Sequence, residues 1–170
     1  MRLRMALIAL SAVTLLASCG SSAGSKSSSA TTTVGSPAAG RPDVCALLTR
    51  QEAQDAMGVS TSAPQDNGGG PMTDPKGNLY LCNMHGDGIV DLSLFVGADE
   101  AAAQAYYATK SSATAPRYGS IIKGNEVVSV DLQIELEPAG LKGKTQAEID
   151  THYREAVKQI LKDAKARLRG

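Results

Sequence analysis

The chain has no tryptophan, one phenylalanine and only five tyrosines in 170 residues. A core built from it must rest on Leu, Ile, Val and Ala, and aromatic platforms of the kind that stack on sugars are scarce. Neither charge is in excess: 17 basic groups stand against 17 acidic ones, which excludes a bulk affinity for nucleic acid. With two scattered histidines and three cysteines, the usual zinc pattern of two tight ligand pairs is not met. Long apolar runs are missing too. The run at residues 5–17 is too short to cross a bilayer as a helix, and nothing later approaches the required length. No cofactor is implied by these features.

That run does fit the core of a signal peptide. Arg2 and Arg4 precede it, and the small residues Ala17 and Ser18 lead to Cys19. Leu16-Ala17-Ser18-Cys19 resembles a bacterial lipobox. The resemblance implies a lipoprotein signal peptide over residues 1–18, cleavage before Cys19, and a diacylglyceryl group with palmitate-type chains on the Cys19 thiol. Two or more acyl chains, at about 0.8 kcal/mol per buried methylene, make a durable anchor. The implied location is the extracytoplasmic face of the cell membrane, with the membrane itself the first partner. An ordinary secretory signal with an incidental cysteine is the alternative.

Residues 20–42 are almost all Gly, Ser, Ala, Thr and Pro, with only Lys26 and Arg41 charged, and cannot form a core. Residues 19–42 thus read as the acylated cysteine and a flexible tether, whose reach is about 25–30 Å. Residues 43–170 are enough chain for one globular domain. If Cys19 takes lipid, Cys45 and Cys82 remain as a pair, and outside the cytoplasm they should form a disulfide. The competing reading joins Cys82 and His85, spaced C-x-x-H, with Cys45 and His152 as a metal site.

Thr49 and Glu52 form a capping box for a helix of about two turns, with Leu48 and Ala53 stapling its start and Gly58 suited to its end. This gives Glu52 a capping task ahead of any catalytic one. Cys45-x-Leu47-Leu48-Thr49-x-x-Glu52-Ala53, followed by Gly58 and a cysteine in a downstream strand, resembles a family of uncharacterised actinobacterial lipoproteins, notably mycobacterial ones. Members often carry an aromatic shortly after the second cysteine, where this chain has Asn83 and Met84. The resemblance implies an envelope lipoprotein with a disulfide and supplies no catalytic residues.

Residues 59–77 hold Pro64, Asp66-Asn67-Gly68-Gly69-Gly70-Pro71 and Asp74-Pro75-Lys76-Gly77, and read as a long loop. Its glycines lack the Lys-Ser/Thr and the helix that a phosphate cradle needs. Residues 78–85 and 89–96 read as a hairpin turning at His85-Gly86-Asp87-Gly88. Asp99 is placed to cap a helix to about Ser111, in which Tyr106 and Tyr107 either pack in the core or line a ligand pocket. A second hairpin spans 118–123 and 126–137, its apolar residues Val128 to Leu136 alternating with an acidic row that includes Asp131, Glu135 and Glu137. Asp131 and Glu135 lack a further catalytic feature nearby in sequence. A second capping box, Thr145 with Glu148, opens a long amphipathic helix to about Leu168.

This order predicts an α+β fold: a two-layer domain with a mainly antiparallel sheet of about four strands and helices packed on one face. No nucleophile, base and orienter cluster together in sequence. The expected function is therefore a non-enzymatic binding or interaction module for an envelope protein partner or a small hydrophobic ligand. The alternatives are a lipid or glycolipid carrier and an envelope hydrolase.

Overall fold

A computed structural model of the chain describes residues 41–111, 115–134 and 138–169. The expected signal peptide, Cys19, the expected tether up to residue 40, and Glu135 to Glu137 lie outside the described residues.

The domain opens with a 3-10 turn, Val44–Leu47, and helix α1, Arg50–Met57. Thr49 and Glu52 cap α1 reciprocally as expected, and Gly58 ends it in the left-handed region at φ 71°. Strands β1 (Gln65–Thr73), β2 (Lys76–Met84) and β3 (Gly88–Gly97) follow as two hairpins. Helix α2, Glu100–Ser111, begins where the Asp99 carboxylate accepts from the Ala102 amide at 2.8 Å. The hairpin of β4 (Tyr118–Lys123) and β5 (Glu126–Ile134) precedes α3, Gln146–Arg167, which starts at the Thr145–Glu148 capping box.

The fold is α+β with a fully antiparallel sheet, in the order β1-β2-β3-β5-β4. The sheet has five strands where about four are expected, because β1 lies in the stretch that reads as a loop. Its glycines and Pro71 are tolerated because β1 is an edge strand, where a missing donor leaves no ladder bond unmade. A bulge between Asp66 and Gly69 absorbs the extra residues, with Gly68 at φ 87°.

The main core lies between one sheet face and helices α1 and α3. Cys82, Met84, Val90, Leu92, Leu94, Val128, Val130 and Leu132 meet Ala53, Met57, Val157, Ile160 and Ala164, all buried. Each large aliphatic side chain buried here contributes roughly 1.5–3 kcal/mol. Cys45 and Cys82 are joined by a disulfide across 37 residues, which ties the opening turn to β2. The bond occupies both sulfurs, so the reading of these cysteines as metal ligands is set aside. The end of α3 is held by Arg167, which donates to Leu47 O at 3.0 Å and to Glu52.

Helix α2 departs from the expectation of helices on one face. Side chains alternate along a strand, so Phe95 and Val127 point away from the main core, and α2 packs over them with Ala103 and Tyr106. The helix is short, and it covers only one end of this second face.

Candidate functional site: a half-covered polar face

The register sorts the second face into transverse rows. Leu79, Phe95, Val127 and Ile122 are aligned across β2, β3, β5 and β4. This apolar row lies under α2, where the Tyr106 ring stacks on Phe95 with centroids 4.2 Å apart. The next row is Leu81, Ser93, Ser129 and Ser120. The one after it crosses all five strands: Gln65, Asn83, Asp91, Asp131 and Tyr118. Where the apolar row stops, a cleft of about 270 Å³ begins, lined by Ser93, Ser129, Asp91 and the exposed Asp131 of the central strands together with Asn67, Leu81, Lys110 and Tyr118.

The sequence explains why the cleft is there. On central strands a buried face is normally apolar on every second residue, and β3 and β5 keep that pattern toward α3. Toward the cleft they carry Asp91 and Ser93, and Ser129 and Asp131, which are small or charged groups that leave space and offer oxygens. Ser129 is only 3% exposed, yet its Oγ has no hydrogen-bond partner among the described residues. The same holds for Ser120 Oγ, Asn83 Oδ1 and Tyr118 Oη. A buried hydroxyl left unpaired costs about 1–3 kcal/mol, and Ser129, Asn83 and Tyr118 line the cleft, where a bound molecule can pair with them.

Burial acts on two of the titratable groups here. Burial raises the Asp91 carboxyl pKa, the Asp131 carboxylate opposite raises it further, and His85 acts the other way. Burial also raises the Tyr118 phenol; the neighbouring Ser129 hydroxyl lowers it, although neither oxygen completes a well-formed hydrogen bond, and Asp131 raises it. Gln133 Nε2 donates to Asp91 Oδ2 at 3.2 Å, from the rim. Lys110 has its ammonium 5.4 Å from the Tyr106 ring centroid. The floor is thus rich in acceptors, with two carboxylates, an amide oxygen and several hydroxyls.

The residues singled out from sequence are distributed elsewhere. Tyr106 is buried in the small cluster under α2 and Tyr107 packs half-exposed against it; neither lines the cleft. His85 is exposed at the β2–β3 turn, and His152 sits on α3, its Nε2 3.1 Å from Met57 O, so the two do not converge. Asp131 does lie in the cleft, while Asn83, Asp91, Ser93, Tyr118 and Ser129 are the members that sequence reasoning missed. Among the described residues no three His, Cys, Asp or Glu side chains gather as metal ligands, and no helix is long and apolar enough to cross a membrane. No family model, curated protein or solved structure matches the chain.

Proposed function

We propose that the chain is a lipoprotein, anchored by acylated Cys19 to the extracytoplasmic face of the cell membrane, whose domain binds a small, donor-rich polar ligand in the cleft without converting it. The observation that carries the reading is the Asp91–Asp131 pair, two carboxylates opposite each other on β3 and β5 that line the cleft beside the Ser129 hydroxyl. An ammonium or a polyhydroxylated group supplies donors to the two carboxylates. The lipobox supports the anchor, and the Cys45–Cys82 disulfide supports an oxidising compartment.

A polar ligand fits better than the hydrophobic one expected from sequence. A lipid carried between the layers would have to displace Leu92, Val130, Val157 and Ile160, which fill the space between the sheet and α3 at 0–4% exposure. An envelope hydrolase is the second reading, favoured by the Asp91–Asp131 pair, in which burial raises the pKa of one carboxyl beside a second.

The test is a thermal-shift and calorimetric series with ethanolamine, glucosamine and glycerol as probes, on wild type and Asp131→Asn. Binding reads as a melting temperature that rises with ligand concentration. A shift in wild type that weakens in Asp131→Asn is expected. No shift with any probe counts against a donor-seeking cleft, and turnover of a glycoside that is lost in Asp131→Asn would favour the hydrolase.

A further inference from the structure

A second depression lies on the other side of the sheet, between α3 and the edge strand β4. It is open, about 500 Å³, with Ile121 and Leu161 as its large apolar lining and Lys123, Lys158, Lys162, Lys165 and the exposed Ala166 around them. With 3.6 residues per turn, Arg154, Lys158, Lys162 and Lys165 fall within roughly a quarter of the α3 circumference, while Glu148, Gln159 and Asp163 fall on the other flank. Glu155, at the border, pairs with Lys158, and Lys123 donates to Leu168 O. Lys162 and Lys165 are exposed and have no anionic partner among the described residues. A concentrated positive strip therefore flanks an apolar groove on a chain of balanced charge.

We propose that this groove docks on the surface of an anionic lipid membrane. Lysine ammoniums at the rim meet the phosphates as point charges and keep their own hydration, while their stems and the Ile121 and Leu161 side chains lie against the glycerol and acyl boundary. The inference rests on the lipoprotein reading for the presence of a bilayer: a tether of about 25–30 Å reach keeps the surface at high effective concentration. A weak basic patch then suffices as the second attachment signal beside the acyl chains. The consequence is an orientation. With the α3–β4 groove on lipid, the polar cleft, on the opposite face of the sheet, opens away from the membrane.

The test uses the whole mature chain, residues 19–170, unacylated through Cys19→Ser, and sedimentation with vesicles. Binding to vesicles containing phosphatidylglycerol and not to pure phosphatidylcholine is expected, and it should weaken as salt is raised. Removing two lysine charges should reduce partitioning about 30-fold, so Lys162→Glu/Lys165→Glu should lose at least that much with an unchanged melting temperature. Lys76→Glu/Lys142→Glu, with the same charge change away from the groove, should bind like the parent. Equal binding to both vesicle types, an equal loss in the two variants, or competition by soluble polyglutamate as strong as the vesicle binding itself would overturn the proposal, the last in favour of an acidic protein. Palmitate labelling of the natural chain tests the anchor separately, so a failed anchor and a failed groove are distinguishable.

Discussion

Asp91 and Asp131 stand directly opposite each other on β3 and β5, two carboxylates side by side on the same sheet face. Like charges placed so are destabilising, and burial of Asp91 adds to the cost. A folded-state pKa raised above its ordinary 3.8 gives a contribution that is present below that value and lost as pH rises through the folded one. Asp131→Asn should therefore stabilise the unliganded domain at neutral pH, by about 0.5 kcal/mol, with the gain vanishing near pH 3. Denaturant unfolding at both pH values checks the sign; a loss at neutral pH would show that the pair is held by something else.

Ser129 makes a prediction opposite to that for an ordinary buried serine. Since its Oγ neighbours the Tyr118 hydroxyl without completing a well-formed hydrogen bond, Ser129→Ala should leave stability unchanged or raise it by up to about 1 kcal/mol, and should weaken ligand binding. A serine that completed a hydrogen bond in the unliganded domain would instead lose stability on truncation, which the same unfolding curves would reveal.

The Glu52 carboxyl is held down to about 2, first by the Arg167 hydrogen bond and then by the Thr49 amide and hydroxyl. A depressed carboxylate stabilises above its unfolded value and loses that contribution as pH falls, here between 4.5 and about 2. Glu52 is 28% exposed and Arg167 36%, so solvent screening reduces the effect to about 1 kcal/mol. Glu52→Gln should flatten the acid limb of the stability curve in that window; an unchanged limb would mean that the contact does not persist in solution.

Gly119 on β4 sits under α3. A Cβ there would come within 2.5 Å of Val157 Cγ1 and 2.9 Å of Leu161 Cδ1. Gly119→Val should cost about 1–3 kcal/mol by forcing α3 off the sheet, seen as a lower melting temperature. No loss would place α3 farther from β4.

Reducing the Cys45–Cys82 bond, or replacing both residues by Ser, should cost about 3–4 kcal/mol through the freed loop entropy of the unfolded chain. Reductant titration of the denaturation midpoint measures this, and a midpoint indifferent to reductant would contradict it.

Much of this fold is legible in the chain because several signals agree locally. Thr49–Glu52 and Thr145–Glu148 mark two helix starts, and the alternation through Val90–Leu94 and Val128–Leu132 marks two central strands. Residues 65–73 fail this test because Gly68, Gly69, Gly70 and Pro71 carry no alternation, and their strand state comes from pairing with β2 at an edge. The cleft was illegible for a related reason. Ser93, Asp91, Ser129 and Asp131 each look like the solvent side of a strand, and only the register that aligns them, with α2 stopping at the Phe95 row, makes a site of them. A serine in place of a longer polar residue on two central strands was the one available hint.

Whether the cleft holds a donor-rich small molecule is read by native mass spectrometry of the natural protein purified from its source cells. The wild-type chain should retain a stoichiometric polar ligand, and the Asp131→Asn/Ser129→Ala variant, folded and disulfide-bonded, should come away without it. A wild-type domain that carries no such molecule, or a variant that holds the same molecule equally well, would contradict the account.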